Sequence, residues 1–315
     1  CRYKFLCERY IMIQLHMPDN TIKSFDIGVT GLHIAGSISP RLQKEAVAIW
    51  VDDDMWDLTR PLTQDARIKI VTRHDQEALD ILRHDAAHVF AEAVKELYPD
   101  TQISIGPSIE NGFYYDILAS SSLSIDDLAL IEARMHAIVK RDEPITREVW
   151  SRDKAIAYFK SIHEHLKVEI IESIPGDEDL TFYKQGNFID LCRGPHLPST
   201  GRLGKSFKLM KIAGAYWRGD SNNIMLQRVY GTAWANDQQL DDYLKRLEEA
   251  EKRDHRRLGK ELNLFHLQEN APGSVFWHPN GWVIYRALQD YIRLRLRHEG
   301  YQEINTPVLM DKSFW

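Results

Sequence analysis

The chain has 315 residues, a formal net charge of −6 and 43% hydrophobic residues, which is apolar material for more than one core. No stretch approaches the ~18 uninterrupted apolar residues of a membrane-spanning helix, and three cysteines in this length are no disulfide framework but point to a reducing compartment. The mild acidity excludes a nucleic-acid footprint spread over the whole surface, though not one confined to a face.

Residues 1–11 are expected to be an extension outside the folded chain, with Met12 as the natural start. From there Ile11, Ile13 and Leu15 alternate as one face of a strand, Pro18-Asp19-Asn20 turns the chain, and Thr21–Ile27 returns as a second strand. A short helix follows at Leu32–Ile38, then strands at Ala46–Val51, Met55–Leu58 and Ile68–Val71. Strands around one short helix within some 60 residues suggest a small α+β unit such as a β-grasp, with a generic β-rich module as the alternative.

A long helix is predicted next, capped by Asp75 and ended by Pro99, with Leu79, Leu82, Ala86, Val89, Ala93 and Leu97 as its apolar stripe. Gly106-Pro107 and Asn111-Gly112 mark loops before an aromatic strand at Phe113–Asp116. Helices are expected at Ile125–Lys140 and Arg152–Leu166, then short strands at Val168–Ile171, Phe182–Lys184, Phe188–Cys192 and Lys205–Lys211. The charged stretch from Asp237 to about Lys260 is expected as one linker helix carrying i,i+4 ion pairs. A last helix at Trp282–Glu299 leads to a strand start at Tyr301–Met310, broken by Pro307.

Three groups of residues could carry chemistry. His84 and His88, spaced i,i+4, lie one turn apart on a helix face nearly opposite the apolar stripe, either as surface histidines or as part of a site. The His-Glu-x-x-His pattern of zinc proteases is not matched, since Asp85 is a position off and a methylene short. In the second group, Asp190 and Cys192 point to one face of a strand, and Gly194-Pro195 can turn His196 back toward the thiol. Cys192 is then a buried inert thiol, a nucleophile or a metal ligand. With His84, His88 and His196 it would make a tetrahedral zinc set of three nitrogens and a sulfur. The third group sets Lys205, Lys208, Lys211, Arg218, Arg228 and the cluster Lys252, Arg253, Arg256, Arg257 among Tyr216 and Trp217. Such a mixture suits phosphates and unstacked bases, or else a solvated face over a core aromatic pair.

The segments LRHDAAHVFAEAVKELYP, IGPSIENGFYYDI, DLCRGPH, KLMKIAGAYWRGDSNNIMLQRVYGTAW and KRDHRRLGKELNLF, with VFWHPNG and YQEINTPVLM, together resemble the threonyl-tRNA synthetases. The resemblance runs from about Met12 to Trp315. It implies an α+β chain made of a TGS (β-grasp) domain at 12–72, an editing domain at 73–235, a linker helix at 236–254 and, from 255 to 315, the start of a class II antiparallel-sheet catalytic domain. Tyr301–Met310 would be motif 1 of that domain, a dimer-forming element. Motifs 2 and 3, a Cys-His-His catalytic zinc site and the anticodon-binding domain are expected beyond Trp315.

Carried over position by position, the editing site would comprise His84, His88, Lys167, Asp190, Cys192 and His196 as catalytic residues and Tyr115 as a substrate-binding one. The resemblance implies hydrolysis of seryl-tRNA(Thr), with His84 activating water and Lys167 stabilising charge or orienting the terminal ribose. Asp190 and Cys192 would shape the pocket. No metal or other cofactor is expected for editing, whereas the full-length ligase would use ATP, Mg2+ and one zinc. The expected partners are tRNA(Thr), threonine and ATP, with a homodimer formed through motif 1, no membrane and a cytoplasmic location. A fragment that only grips tRNA and a free-standing editing deacylase are the alternatives, the latter disfavoured by the class II segment.

Overall fold

A computed structural model describes residues 12–176, 180–307 and 311–312. The expectation for residues 1–11, and with it Ile11, lies outside them. The chain divides into two compact units, Cys1–Asp241 and Asp242–Trp315.

The first unit begins with β1 (Met12–His16), β2 (Ile22–Asp26), α1 (Gly31–Ile38), α2 (Pro40–Glu45), β3 (Ala46–Val51), β4 (Asp54–Asp57) and β5 (Ala66–Thr72). They form a five-stranded sheet in the order β2-β1-β5-β3-β4, in which only β1 and β5 run parallel among these pairs. This is the expected β-grasp topology. Alternation along β1 buries Ile13 and Leu15, which meet Ile34 and Ala35 of α1 and Ile49 and Leu58 in one core. Helix α2, not anticipated, starts with Pro40 in its first turn and is capped by Ser39, whose side chain accepts from Leu42 N.

Helix α3 (Ala78–Leu97) runs through the next domain, with its N-cap at Glu77 rather than Asp75. The Asp75 carboxylate instead accepts from the backbone N–H and hydroxyl of Thr72, at 2.7 and 2.8 Å. After it come β6 (Gln102–Ile103), β7 (Ser108–Ile109), β8 (Gly112–Leu118), α4 (Ile125–Arg141), β9 (Ile145–Trp150), α5 (Arg152–Ser161), α6 (His165–Ser173), β10 (Leu180–Gln185), β11 (Phe188–Leu191), β12 (Phe207–Tyr216) and β13 (Met225–Ala233). One sheet has the order β12-β13-β8-β6, with β7 also on β8; the other is β11-β10-β9. Helix α3 packs on α4, β8 and β13. It is therefore buried on nearly every side, including the side that carries His88.

Three expectations are corrected here. Arg152–Leu166 is not one helix, because the chain breaks after Ser161 and turns at His163, whose φ is +59°. Val168–Ile171 is not a strand but lies within α6. Val168 and Ile171 join the core of Trp150, Phe159 and Phe182, while Ile170 packs on Trp217 and Leu226. A short helix apolar on two faces reads as a continuous apolar run, which looks like a strand. The expected strand Lys205–Lys211 starts only at Phe207 and has a bulge between Leu209 and Lys211, so Lys205 lies off it.

The linker helix is also shorter than expected. Helix α7 (Asp237–Lys252) has no buried residue, and Asp254 caps a separate α8 (His255–Glu261) through a bond from Arg256 N. In the second unit, β14 (Phe265–His266) pairs with β15 (Phe276–Trp277), followed by α9 (Pro279–His298). Residues 301–307 form no strand, since no neighbouring ladder receives them among the described residues and Pro307 has no N–H to offer. The rest of that expected strand, residues 308–310, lies outside the described residues.

Candidate active site

Helical geometry sets His84 and His88 one turn apart on α3, with ring centroids 4.8 Å from each other. The chain leaving β11 carries Cys192 toward them, and the Gly194-Pro195 turn brings His196 back, as the spacing suggested. The rings of His84 and His88 lie 4.6 and 4.5 Å from that of His196. His84 Nε2 is 2.9 Å and His196 Nε2 3.2 Å from Cys192 Sγ, which also accepts from Gly194 N at 3.3 Å. His88 and His196 are buried, while His84 and Cys192 keep partial access to solvent.

Charge is unevenly placed in this cluster. Burial pushes the His196 imidazole down, but the Asp85 carboxylate 3.1 Å from its Nδ1 and the Cys192 sulfur outweigh it and raise it to about 10. Burial pushes the Cys192 thiol up, yet the charge of His196 and the bonds from the three histidines hold it well below the ordinary thiol range. Burial, with His196 beside it, holds His88 below the ordinary imidazole range and so neutral. These directions favour a Cys192 thiolate beside a His196 imidazolium, with His88 neutral.

A second buried group adjoins the first through Asp190, two residues before Cys192. Lys167 on α6 forms an ion pair with Asp190 and donates to Ser104 O at 2.5 Å. Tyr115 on β8 donates to Asp190 Oδ2 at 2.7 Å, and burial with the Asp190 charge keeps its hydroxyl protonated. All seven expected residues thus meet in two adjoining clusters. The sequence reading missed Asp85 as the support of His196, although it stands between the two histidines of α3. It also missed Ser104, Tyr183 and Asp57, which carry no local signal.

One helical turn beyond His88, a cavity of about 360 Å3 opens beside Glu92, Lys95, Tyr158, Phe159 and Phe188. None of the seven residues lines it. The basic–aromatic group is less free than its composition suggested. The Arg228 fork is taken by Asp116 at 2.7 and 2.8 Å and lies 3.9 Å over Tyr114. Lys205 pairs with Asp237, and Lys252, Arg253, Arg256 and Arg257 pair with acids of their own segments. Lys208 and Tyr216 remain exposed, whereas Trp217 is buried.

Comparison with known proteins gives this arrangement its context. Residues 13–72 match the TGS domain model, and residues 180–230, which carry Asp190, Cys192 and His196, match the second additional domain of threonyl and alanyl tRNA synthetases. The second of these matches is to a domain described from two aminoacyl-tRNA synthetases. Over nearly its whole length the chain is similar to threonine–tRNA ligases. It is 59% identical over 304 residues to the threonine–tRNA ligase of Rickettsia akari, covering 96% of this chain and 48% of that protein. Those of Rhodospirillum rubrum and Paramagnetospirillum magneticum are 58% and 59% identical, again over 96% of this chain and 47% and 48% of theirs. The chain thus spans about half the length of the curated relatives it matches.

Proposed function

We propose that this chain carries an editing site that hydrolyses seryl-tRNA(Thr), within a protein that as a whole charges tRNA(Thr) with threonine at the expense of ATP. The observation that carries the reading is the convergence of His84, His88, Cys192 and His196 beside the buried Lys167–Asp190–Tyr115 group. Physical need supports it too. Threonine and serine differ by one methyl group, which a binding pocket discriminates by only about 1–3 kcal/mol. A second site that destroys the wrong ester supplies the remainder.

In this reading water attacks the ester carbonyl, the bond to the terminal ribose breaks, and the ribose oxygen takes a proton. His84, the accessible member of the histidine cluster, activates the water. His196, its ring nitrogens taken by Asp85 and Cys192, fixes the Cys192 sulfur in the wall of the site. Lys167, paired with Asp190 and donating to Ser104 O, holds Asp190 and Tyr115 in place and stabilises developing charge or orients the terminal ribose. His88 completes the wall, and Asp190 and Cys192 shape the amino-acid pocket. Domain bounds at 12–72, 73–235 and 236–254, with a class II segment from 255, belong to the same proposal. So do the homodimer, the ligase's ATP, Mg2+ and zinc, and a cytoplasmic location. No helix among the described residues is long and apolar enough to cross a membrane.

The four ligand atoms of His84, His88, Cys192 and His196 lie within 4.8 Å of one another and could hold a zinc ion. We infer that editing proceeds without one. Stoichiometric zinc in the purified chain, lost on Cys192→Ala, would overturn it. The function itself is tested by deacylation of seryl-tRNA(Thr). His84→Ala is expected to slow serine release by about 10²–10⁴-fold. If the wild type, His84→Ala and Lys167→Ala all release serine equally slowly, the chain is a tRNA-binding module and not a hydrolase.

A further inference from the structure

We propose that Asp57, which belongs to the β-grasp domain, is a positioning residue of the hydrolytic site, acting through the peptide N–H of His196 and the hydroxyl of Tyr183. What the site does rests on the editing reading above, but the geometry does not. Asp57 ends β4 and is only 6% exposed. Its Oδ1 accepts from His196 N at 2.7 Å and its Oδ2 from Tyr183 Oη at 2.9 Å. These donors lie 139 and 126 residues away in sequence.

The two bonds clamp one turn. Gly194 has a φ of +73°, and a Cβ there would lie 2.1 Å from the Tyr183 hydroxyl, so the turn rests directly on that side chain. The Tyr183 ring is 4.1 Å from the ring of His196. On the other side Asp85 holds His196 Nδ1 and the backbone N–H of Leu197, the latter at 3.2 Å. His196 is therefore fixed twice: its backbone by a carboxylate of the β-grasp domain, its ring by one of α3. Its remaining nitrogen is thereby aimed at Cys192.

Asp57 is not needed merely to join the two domains. Arg202 donates to Gln43 O at 3.1 Å. Glu77 accepts from Trp50 at 3.1 Å and Lys69 at 2.7 Å. Asp57 is the link that reaches a residue of the cluster itself. A displacement of a catalytic group by ~1 Å can cost about a hundredfold in rate.

The test uses this chain with Asp57→Asn, which keeps the size of the side chain but loses an acceptor, and with Tyr183→Phe, which removes one donor should the first variant fold poorly. Single-turnover release of serine from seryl-tRNA(Thr) is expected to fall roughly ten- to hundredfold in Asp57→Asn, with affinity for the seryl-tRNA unchanged. The ring resonances of His196 should shift in both variants while those of His266 stay in place. Wild-type rates and unmoved His196 resonances in both variants would overturn the proposal, leaving editing itself intact. Should the wild-type chain release no more serine than His84→Ala, the editing reading falls. The His196 resonances then decide alone whether Asp57 positions that residue.

Discussion

His84, His88, Cys192 and His196 could be paired on paper because two short-range signals, a helical i,i+4 spacing and a Gly-Pro turn, each gather two of them. That the pairs meet depends on the segment beyond β11 folding onto α3, where Cys192 and His196 reach the two histidines, and no spacing expresses it. Asp57 shows the limit most clearly, since a lone aspartate at a strand end is indistinguishable from its solvated neighbours until its partners arrive from more than 120 residues away. Glu92 is a similar case and can be tested by pH. It is 3% exposed, one turn beyond His88, and burial raises its carboxyl to about 7 against a bond from Gln185. A carboxyl raised on folding favours the folded state while protonated, so that contribution is whole below about pH 4.5 and is lost as the pH rises through 7. Glu92→Gln, which stays neutral and keeps an acceptor for Gln185, should nearly match the wild type in urea unfolding at pH 4.5 and exceed it at pH 8 by about 3 kcal/mol. An equal stability difference at both pH values would show that Glu92 does not titrate in this range.

At the scale of elements, amphipathic alternation identified β1 and the outer face of α4, where one side is wet and the other dry. It misled at α6 and understated α3, where neighbours cover several sides. Strand β13 gave no usable pattern, yet it is the central partner of β8 and β12. Its pairing with β8 depends on two glycines. A Cβ on Gly112 would lie 2.1 Å from Gly231 O, and one on Gly231 would lie 2.3 Å from the Phe113 ring. Asn111-Gly112 looked like a loop signal; the glycine is there for clearance at the start of a strand. Gly112→Ala must push the backbones of β8 and β13 apart, because no flexible side chain can yield. It is expected to cost about 1–3 kcal/mol, read from the urea midpoint. Since Tyr115 lies on the same strand, serine release should fall with it. An unchanged midpoint would mean that the ladder tolerates the displacement.

For the molecule as a whole, net charge and length said least. The acidic total averages over a surface on which many cations are already paired, so neither sign of charge marks a binding face by itself. The two units differ in kind. The first encloses three named cores, whereas helix α9 in the second leaves Trp282, Val283, Ile284, Leu288, Tyr291 and Ile292 exposed. An apolar surface of that extent on a helix is one that folding has not covered, and it should bind a hydrophobic dye and favour self-association. Ending the chain after Lys252 keeps α7 whole and removes α9. The shortened chain should then melt within about 2 °C of the full one, a difference under about 1 kcal/mol, because the cores of the first unit are untouched. Its anilinonaphthalene sulfonate emission should drop sharply, and serine release should persist, since every residue of the proposed site precedes residue 241. A fall of many degrees would show that residues 253–315 stabilise the first unit. Undiminished dye binding would move the exposed apolar surface to another part of the chain.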